Sequence, residues 1–232
     1  MPRHFSAFRR RVGLASTWLV AATLLSACSL PDFKRESPAP RSVGSAEDAA
    51  RRQATAPLSI ARGETAIGAG MAALLARPDE ALAVDEVGYY MDVLLASLRL
   101  RLPGEASAPS REQNDLRLLL PGHMTFASGS ASLSPGAKAL LERVAEVLAE
   151  YRKTQVVIEG HSDTQGDPGY NQTLSEQRAL SVARFLAGRA VPPARLVAVG
   201  YGASRPLAEN STEAGRRSNR RVELLIRPVV GP

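Results

Sequence analysis

Cysteine occurs once in the 232 residues, at Cys28, so no disulfide can form within the chain. Aromatic residues make up only 5%, against 44% hydrophobic residues in all. Alanine and leucine must therefore fill most of any core. Histidine is nearly absent too: His4, His123 and His161 lie far apart and offer no metal-ligand spacing. Gly200-Tyr201-Gly202 lacks the lysine that a phosphate-cradling P-loop requires. No block of basic residues is interleaved with aromatics. The formal charge is +6, but Arg3, Arg9, Arg10 and Arg11 supply four of those charges before the first acid, Asp32, which leaves +2 for the rest. The basicity belongs to the N-terminus, and nucleic-acid binding is not expected. Neither a metal nor a cofactor is expected.

What is present begins with an address. Arg9-Arg10-Arg11 precede an apolar stretch from Val12 to Leu25. That stretch is too short for a membrane span of about 20 residues, and it suits the h-region of a signal peptide. It ends in Leu25-Ser26-Ala27-Cys28. The string resembles the lipobox of bacterial lipoproteins, in which the cysteine is diacylated and becomes the new N-terminus. The alternative is an ordinary secretory peptide followed by a free thiol, a liability in an oxidising compartment. Two acyl chains give stable anchoring where one does not. By the family's sorting rule, Ser29 after the cysteine points to the outer membrane, with the protein facing the periplasm.

Residues 1–27 thus read as a signal peptide and 28–57 as a lipidated flexible tether. Pro31, Pro38, Pro40 and Pro57 punctuate the tether, and its composition cannot bury enough apolar surface to order it. About 29 flexible residues would span roughly 30 Å. Residues 58–112 read as a mostly helical region. In its first part the apolar run Ala66 to Ala76 reads as a short helix. In its second, Tyr90, Val93, Leu94, Leu98 and Leu102 recur on one helical face, which ends at Pro103-Gly104. That face packs either against the next domain or against a second copy of itself, and the sequence leaves both open. A polar loop follows to about Asn114.

From Asp115 short apolar runs alternate with helical patterns. Strands are expected at Asp115–Leu120, His123–Ala127, Gln155–Glu159, Leu196–Val199 and Val222–Ile226. Ser134 with Pro135 marks a helix start, and Leu140, Leu141, Val144, Val147, Leu148 and Tyr151 follow at helical spacing. A second helix is expected to be capped by Ser175, to turn Ala179, Val182, Ala183 and Leu186 to the core, and to end at Gly188. Such alternation implies an α/β class, an α+β sandwich with two helices on one face of a small sheet.

Seven fragments then occur in order: Thr125-Phe126-Ala127-Ser128-Gly129-Ser130-Ala131, Gly160-His161-Ser162-Asp163, Tyr170-Asn171, Leu174-Ser175, Arg178-Ala179, Gly200-Tyr201-Gly202 and Asn219-Arg220-Arg221-Val222. Together they resemble the OmpA-like C-terminal domain, shared by OmpA and peptidoglycan-associated lipoprotein, over residues 113–230. The resemblance implies a βαβαββ domain with a small mixed sheet, which binds the diaminopimelate stem peptide of peptidoglycan.

Diaminopimelate offers an ammonium and a carboxylate on one carbon, so its site needs one anion and one planar cation. Asp163 follows a strand, and Arg178 is expected in the first turn of the next helix, so the two can meet across one groove. The resemblance assigns the ammonium to Asp163 and the carboxylate to Arg178, whose fork matches two parallel bonds. The alternative is that the two pair only with each other. Asn171 is matched to support of the binding loop or to the ligand, and Phe126 to the groove floor. Gln165 to Thr173 could turn backbone N–H groups to a carboxylate. Of the two neighbouring arginines only one can face the groove; Arg220 is assigned to it and Arg221 to structure. Thr164-Gln165 departs from relatives with asparagine or glutamate there, which bears on fine ligand preference. His161-Ser162-Asp163 is no catalytic triad, because consecutive residues on an extended chain point alternately.

The expected protein is a non-catalytic wall binder held to the outer membrane by acyl chains on Cys28. The alternative is an adaptor whose 58–112 region binds another envelope protein, or pairs as a homodimer, while the wall-binding domain only anchors it.

Overall fold

The computed structural model describes residues 64–231 apart from 78, 80, 103 and 105–107. The expected signal peptide, Cys28 and the tether lie outside the described residues. In chain order the elements are α1 (Glu64–Leu75), α2 (Val87–Arg101), β1 (Ser110–Glu112), β2 (Asp115–Pro121), α3 (Gly122–Thr125), α4 (Pro135–Glu150), β3 (Thr154–Gly160), α5 (Pro168–Ala187), a 3-10 turn at Pro193–Arg195, β4 (Leu196–Gly200), α6 (Glu213–Asn219) and β5 (Arg221–Pro228).

The five strands form one mixed sheet in the order β1-β2-β5-β3-β4. Only β3 and β4 run parallel. A parallel pair needs a crossover, and α5 supplies it. Side chains alternate between the faces of a strand, so each strand feeds two environments. Leu116, Leu118 and Leu120 of β2, Val156 and Ile158 of β3, and Val222, Leu224 and Ile226 of β5 enter one core. Helix α2 brings Met91, Leu94 and Leu98 to it, α4 brings Leu141, Val144 and Leu148, and α5 brings Val182 and Leu186. Val157, Val197 and Val199 point the other way, where Ile67 of α1 joins them in a small cluster with Tyr201 and Leu225 packed against it.

The helical face therefore carries three helices rather than the two expected from the sequence. The third, α2, settles the open question of its own apolar face. Leu98 is fully buried in the common core, Val93 is half-buried, and the Tyr90 hydroxyl accepts from Lys153 N at 3.1 Å. Tyr90 also packs edge-on to Tyr151 at 5.6 Å, and the Tyr151 hydroxyl bonds Ser97 at 2.8 Å. Helix α2 packs on the domain.

Ser134 caps α4 as expected: its Oγ accepts from Ala137 N at 3.1 Å, with Pro135 beginning the helix. The start of α5 differs. Asp167 is the cap, its Oδ1 accepting from Tyr170 N at 2.7 Å, and Pro168 follows it. Ser175 lies inside the helix, and the cap Asp167, eight residues upstream and followed by Pro168, takes its expected place. Its hydroxyl donates to Gln172 O at 2.8 Å and accepts from Gly202 N at 2.9 Å. Here α5 lies directly on the sheet: a Cβ at Gly160 would stand 2.1 Å from Ser175 O. Gly188 does end α5, but at φ −70. The left-handed residue is Ala190, at φ 67.

The strand expected at His123–Ala127 is instead the single turn α3. The Thr125 hydroxyl donates to Pro121 O at 2.8 Å, which closes the turn, and only Phe126 makes an isolated bridge, to Leu133. The sequence reading also passed over β1 and α6, the latter capped by Thr212 Oγ1 accepting from Gly215 N at 3.0 Å. Among the described residues no helix is long and apolar enough to cross a membrane.

Candidate functional site

The antiparallel register of β3 and β5 pairs Gly160 with Val222. That pairing sets the loop after β3 beside the residues that open β5. Asp163 and Arg220 meet there: Arg220 Nη1 lies 2.5 Å from Asp163 Oδ2, and Arg220 Nη2 donates to Glu213 Oε1 at 2.8 Å. The other carboxylate oxygen of Asp163 accepts from Gln165 N at 3.1 Å. Asn171, from the first turn of α5, donates to the carbonyls of Asp163 (3.3 Å) and Gln165 (2.7 Å). Its amide thus holds the loop backbone that carries Asp163.

Arg178 sits well inside α5 rather than in its first turn, because that helix begins at Pro168. Its Nε donates to Ser130 O at 3.0 Å, and its guanidinium lies 5.1 Å from the centre of the Phe126 ring. Phe126, Arg178 and Arg220 line one cavity of about 330 Å³, with His123, Ser128 and Gly129. Burial lowers the pKa of the Arg178 guanidinium from its usual value. That of Arg220 is raised, chiefly by the Glu213 bond, with burial opposing and Asp163 adding to it.

Asp163 and Arg178 do not pair with each other. Each has its own partner, Arg220 and Ser130, because the helix rows of α5 turn Arg178 toward the loop before α4. Asp163, Asn171, Arg178, Arg220 and Phe126 still form one neighbourhood. The anion-holding loop expected over Gln165 to Thr173 ends at Asp167, since α5 takes up the rest. Arg221 points away: its Nε donates to Glu223 Oε1 at 2.6 Å, and its remaining nitrogens bond the carbonyls of Asn219 and Arg205. His161 stacks on Tyr201 at 5.5 Å, and the Ser162 hydroxyl donates to the Asp163 carbonyl at 3.0 Å, so no base faces that hydroxyl. Among the described residues no group of three or more metal-ligating side chains occurs.

Ser130 and Glu213, the partners of the two groove arginines, were not singled out in the sequence. A carbonyl acceptor has no residue signature, and Glu213 lies on a seven-residue helix too short to show a period.

Residues 125–220 match the OmpA family. The probable lipoprotein YiaD of Escherichia coli (strain K12) is 37% identical over 187 residues, covering 72% of this chain and 85% of YiaD. The chain belongs to the OmpA family. Its OmpA-like domain also resembles the peptidoglycan-binding protein ArfA of Mycobacterium tuberculosis (strain ATCC 25618 / H37Rv), 38% identical over 122 residues, with 52% of this chain and 37% of ArfA covered. Among solved structures, a MotB-like protein from Desulfovibrio vulgaris superposes with a TM-score of 0.57 at 25% identity, covering 62% of this chain and 93% of that one. The mixed sheet with its helices is thus the OmpA-like fold.

Proposed function

We propose that this OmpA-family protein is a non-catalytic binder of peptidoglycan, engaging the diaminopimelate stem peptide in the Phe126–Arg178–Arg220 groove. The observation that carries the reading is the state of Arg178. Its Nε is tied to Ser130 O, and its two terminal nitrogens have no hydrogen-bond partner among the described residues. A buried guanidinium fork, fixed at one end and open at the other, is preorganised for a carboxylate. Asp163 supplies the anion for the ammonium. Its Oδ2 is held by Arg220, so the ligand ammonium shares or replaces that contact, while Glu213 stands ready to keep Arg220. Asn171 fixes the loop, and Phe126 floors the groove. The peptidoglycan-binding relative supports the ligand class.

The proposed anchor is a pair of acyl chains on Cys28, which with the 28–57 tether holds the domain on the periplasmic side of the outer membrane. The lipoprotein relative and the Leu25-Ser26-Ala27-Cys28 string support this.

The test spins detergent-solubilised full chain down with purified diaminopimelate-type sacculi. Each charge-assisted contact contributes about 1.5–3 kcal/mol, or about ten- to a hundredfold in affinity. Asp163→Ala and Arg178→Ala should each lose pelleting by that factor while staying folded. A parent that remains in solution sinks the reading.

The adaptor reading has one observation of its own: Tyr89 and Leu100 on the outer side of α2 are 79% and 85% exposed. It leads instead if Tyr89→Ser with Leu100→Ser releases a copurifying envelope protein while the parent fails to pellet.

A further inference from the structure

The groove proposed to hold the stem peptide carries more positive charge than one diaminopimelate centre requires. Its charged side chains are Arg178 and Arg220, with His123 beside them, and no carboxylate lines it. The Asp163 carboxylate is bonded to Arg220, and Glu213 holds that arginine's other nitrogen. A diaminopimelate centre offers one carboxylate, and the open fork of Arg178 takes it. His123 is then left without an assigned partner.

Backbone contacts fix His123 at the groove. Gly122 N donates to Arg220 O at 2.7 Å, and a Cβ on Gly122 would stand 2.5 Å from that oxygen. Phe126 N closes the α3 turn on Gly122 O at 2.9 Å. The turn therefore lies against the chain that enters β5, with His123 next to the residue in contact. The His123 side chain is exposed and makes no hydrogen bond or ion pair among the described residues. The crevice that α3 forms with α4 and β2 offers it no charge, being lined by residues such as Leu120, Met124 and Leu141. The charged groups that share its cavity are Arg178 and Arg220, with Asp163 and Glu213 acting through Arg220.

An imidazole that the fold does not use, and that shares a cavity with two guanidiniums, suits an anion once protonated. Histidine gains its proton between about pH 8 and 5, and a nearby carboxylate favours the charged form. A stem peptide supplies such a group: besides the carboxylate on the free diaminopimelate carbon, it ends in another. We propose that His123, as its imidazolium, is a second carboxylate contact of this groove and reads the free carboxylate that ends the stem peptide. The inference rests on the peptidoglycan reading of the groove. It makes the groove selective for stems with an unmodified end, and binding tighter in mild acid. Two other titrating groups do not mimic that dependence. His161, which lines the other face of the sheet, is held down at about 4 by burial and Arg221. Bonds from Arg220 and Arg216 hold Glu213 below the usual carboxylate range.

The test titrates detergent-solubilised full chain with a soluble stem tripeptide ending in diaminopimelate, by calorimetry at about pH 5.5 and about pH 7.5, on either side of the histidine range. The parent should bind about three- to fivefold more tightly at the lower pH, the size of one exposed ion pair. His123→Gln should bind alike at both, matching the parent at the higher pH. The same tripeptide with its end carboxylate amidated, and the free diaminopimelate carbon untouched, should show the parent no pH dependence. If His123→Gln does not fold, the parent's ¹⁵N-histidine ring signals decide. The tripeptide must raise the His123 titration midpoint by about 0.5–0.7 pH unit, the same factor by reciprocity, and the amide must not. A parent that binds equally at both pH values overturns the inference, as does a pH effect that survives in folded His123→Gln or with the amide. Absence of binding at either pH, or binding indifferent to Arg178→Ala, overturns the peptidoglycan reading itself and this inference with it.

Discussion

Glu223 and Leu224 are neighbours on β5, and the pleat sends them to opposite faces of the sheet. Leu224 enters the core under α2, α4 and α5. Glu223 meets Arg221 and Arg117 on the other side. Both side chains are almost fully buried, at 0% and 2% exposure, so burial alone does not distinguish the faces. The apolar face gains from removing hydrocarbon from water, without direction. The charged face must recover the cost of desolvating each ion through a few well-directed bonds, and it fails abruptly if one partner is lost. One sheet thus combines a robust apolar face with a conditional charged one.

Substitution can pull the two faces apart. The largest effect should come from the charged side. Glu223→Ala strands Arg221 and Arg117 and should cost about 3–5 kcal/mol in urea unfolding; a cost below about 1 kcal/mol would show that water already screens this face. Leu224→Ala, one residue on, should cost about 2–5 kcal/mol by leaving a cavity, and unlike Glu223→Ala its cost should barely change with pH.

The next largest effect is pH itself. The folded-state pKa of His161 is pushed down to about 4 from the ordinary 6.5, by burial first and by nearby arginines. The unfolded chain therefore takes up this proton more readily than the folded one. Stability is full above about pH 6.5 and declines as pH falls toward 4, by up to about 3 kcal/mol at about 1.4 kcal/mol per unit. Glu223 acts in the same sense at lower pH. Burial pushes its carboxyl up, but Arg221 and Arg117, with His161, outweigh this and hold it below the usual range. Its stabilisation is lost as pH falls through that lowered value. In His161→Phe the decline between pH 6.5 and 4 should largely vanish from urea midpoints; an unchanged profile would place the titration elsewhere. The smallest effect belongs to the helical side: Ser134→Ala removes the cap of α4 and should cost about 1 kcal/mol, measured by thermal unfolding at neutral pH.

The legible parts of this molecule are those written in local patterns. Short apolar, β-branched runs bounded by turns marked β2, β3, β4 and β5 to within a few residues, because such residues favour a buried strand. Ser134-Pro135 marked the start of α4, since a cap bonds only its own first turn. The ordered motifs named the OmpA-like domain. Local signals also misled where two competed. Asp167-Pro168 outranked Ser175 as the start of α5, and a hydroxyl bond turned His123–Ala127 from a strand into the turn α3.

Pairings across the fold were decided only in three dimensions. Asp163 takes Arg220 rather than Arg178, and Arg178 takes a backbone carbonyl 48 positions away. Arg117 and Glu223 meet across 106 positions of sequence. Such partners carry no spacing rule, because the sheet order β1-β2-β5-β3-β4 brings them together. The sequence alone determined that residues 115–228 would form strands and helices of this kind, since periodicity and capping act within one element. Which charges share a cavity, and which are left without a partner in it, depended on how those elements were stacked.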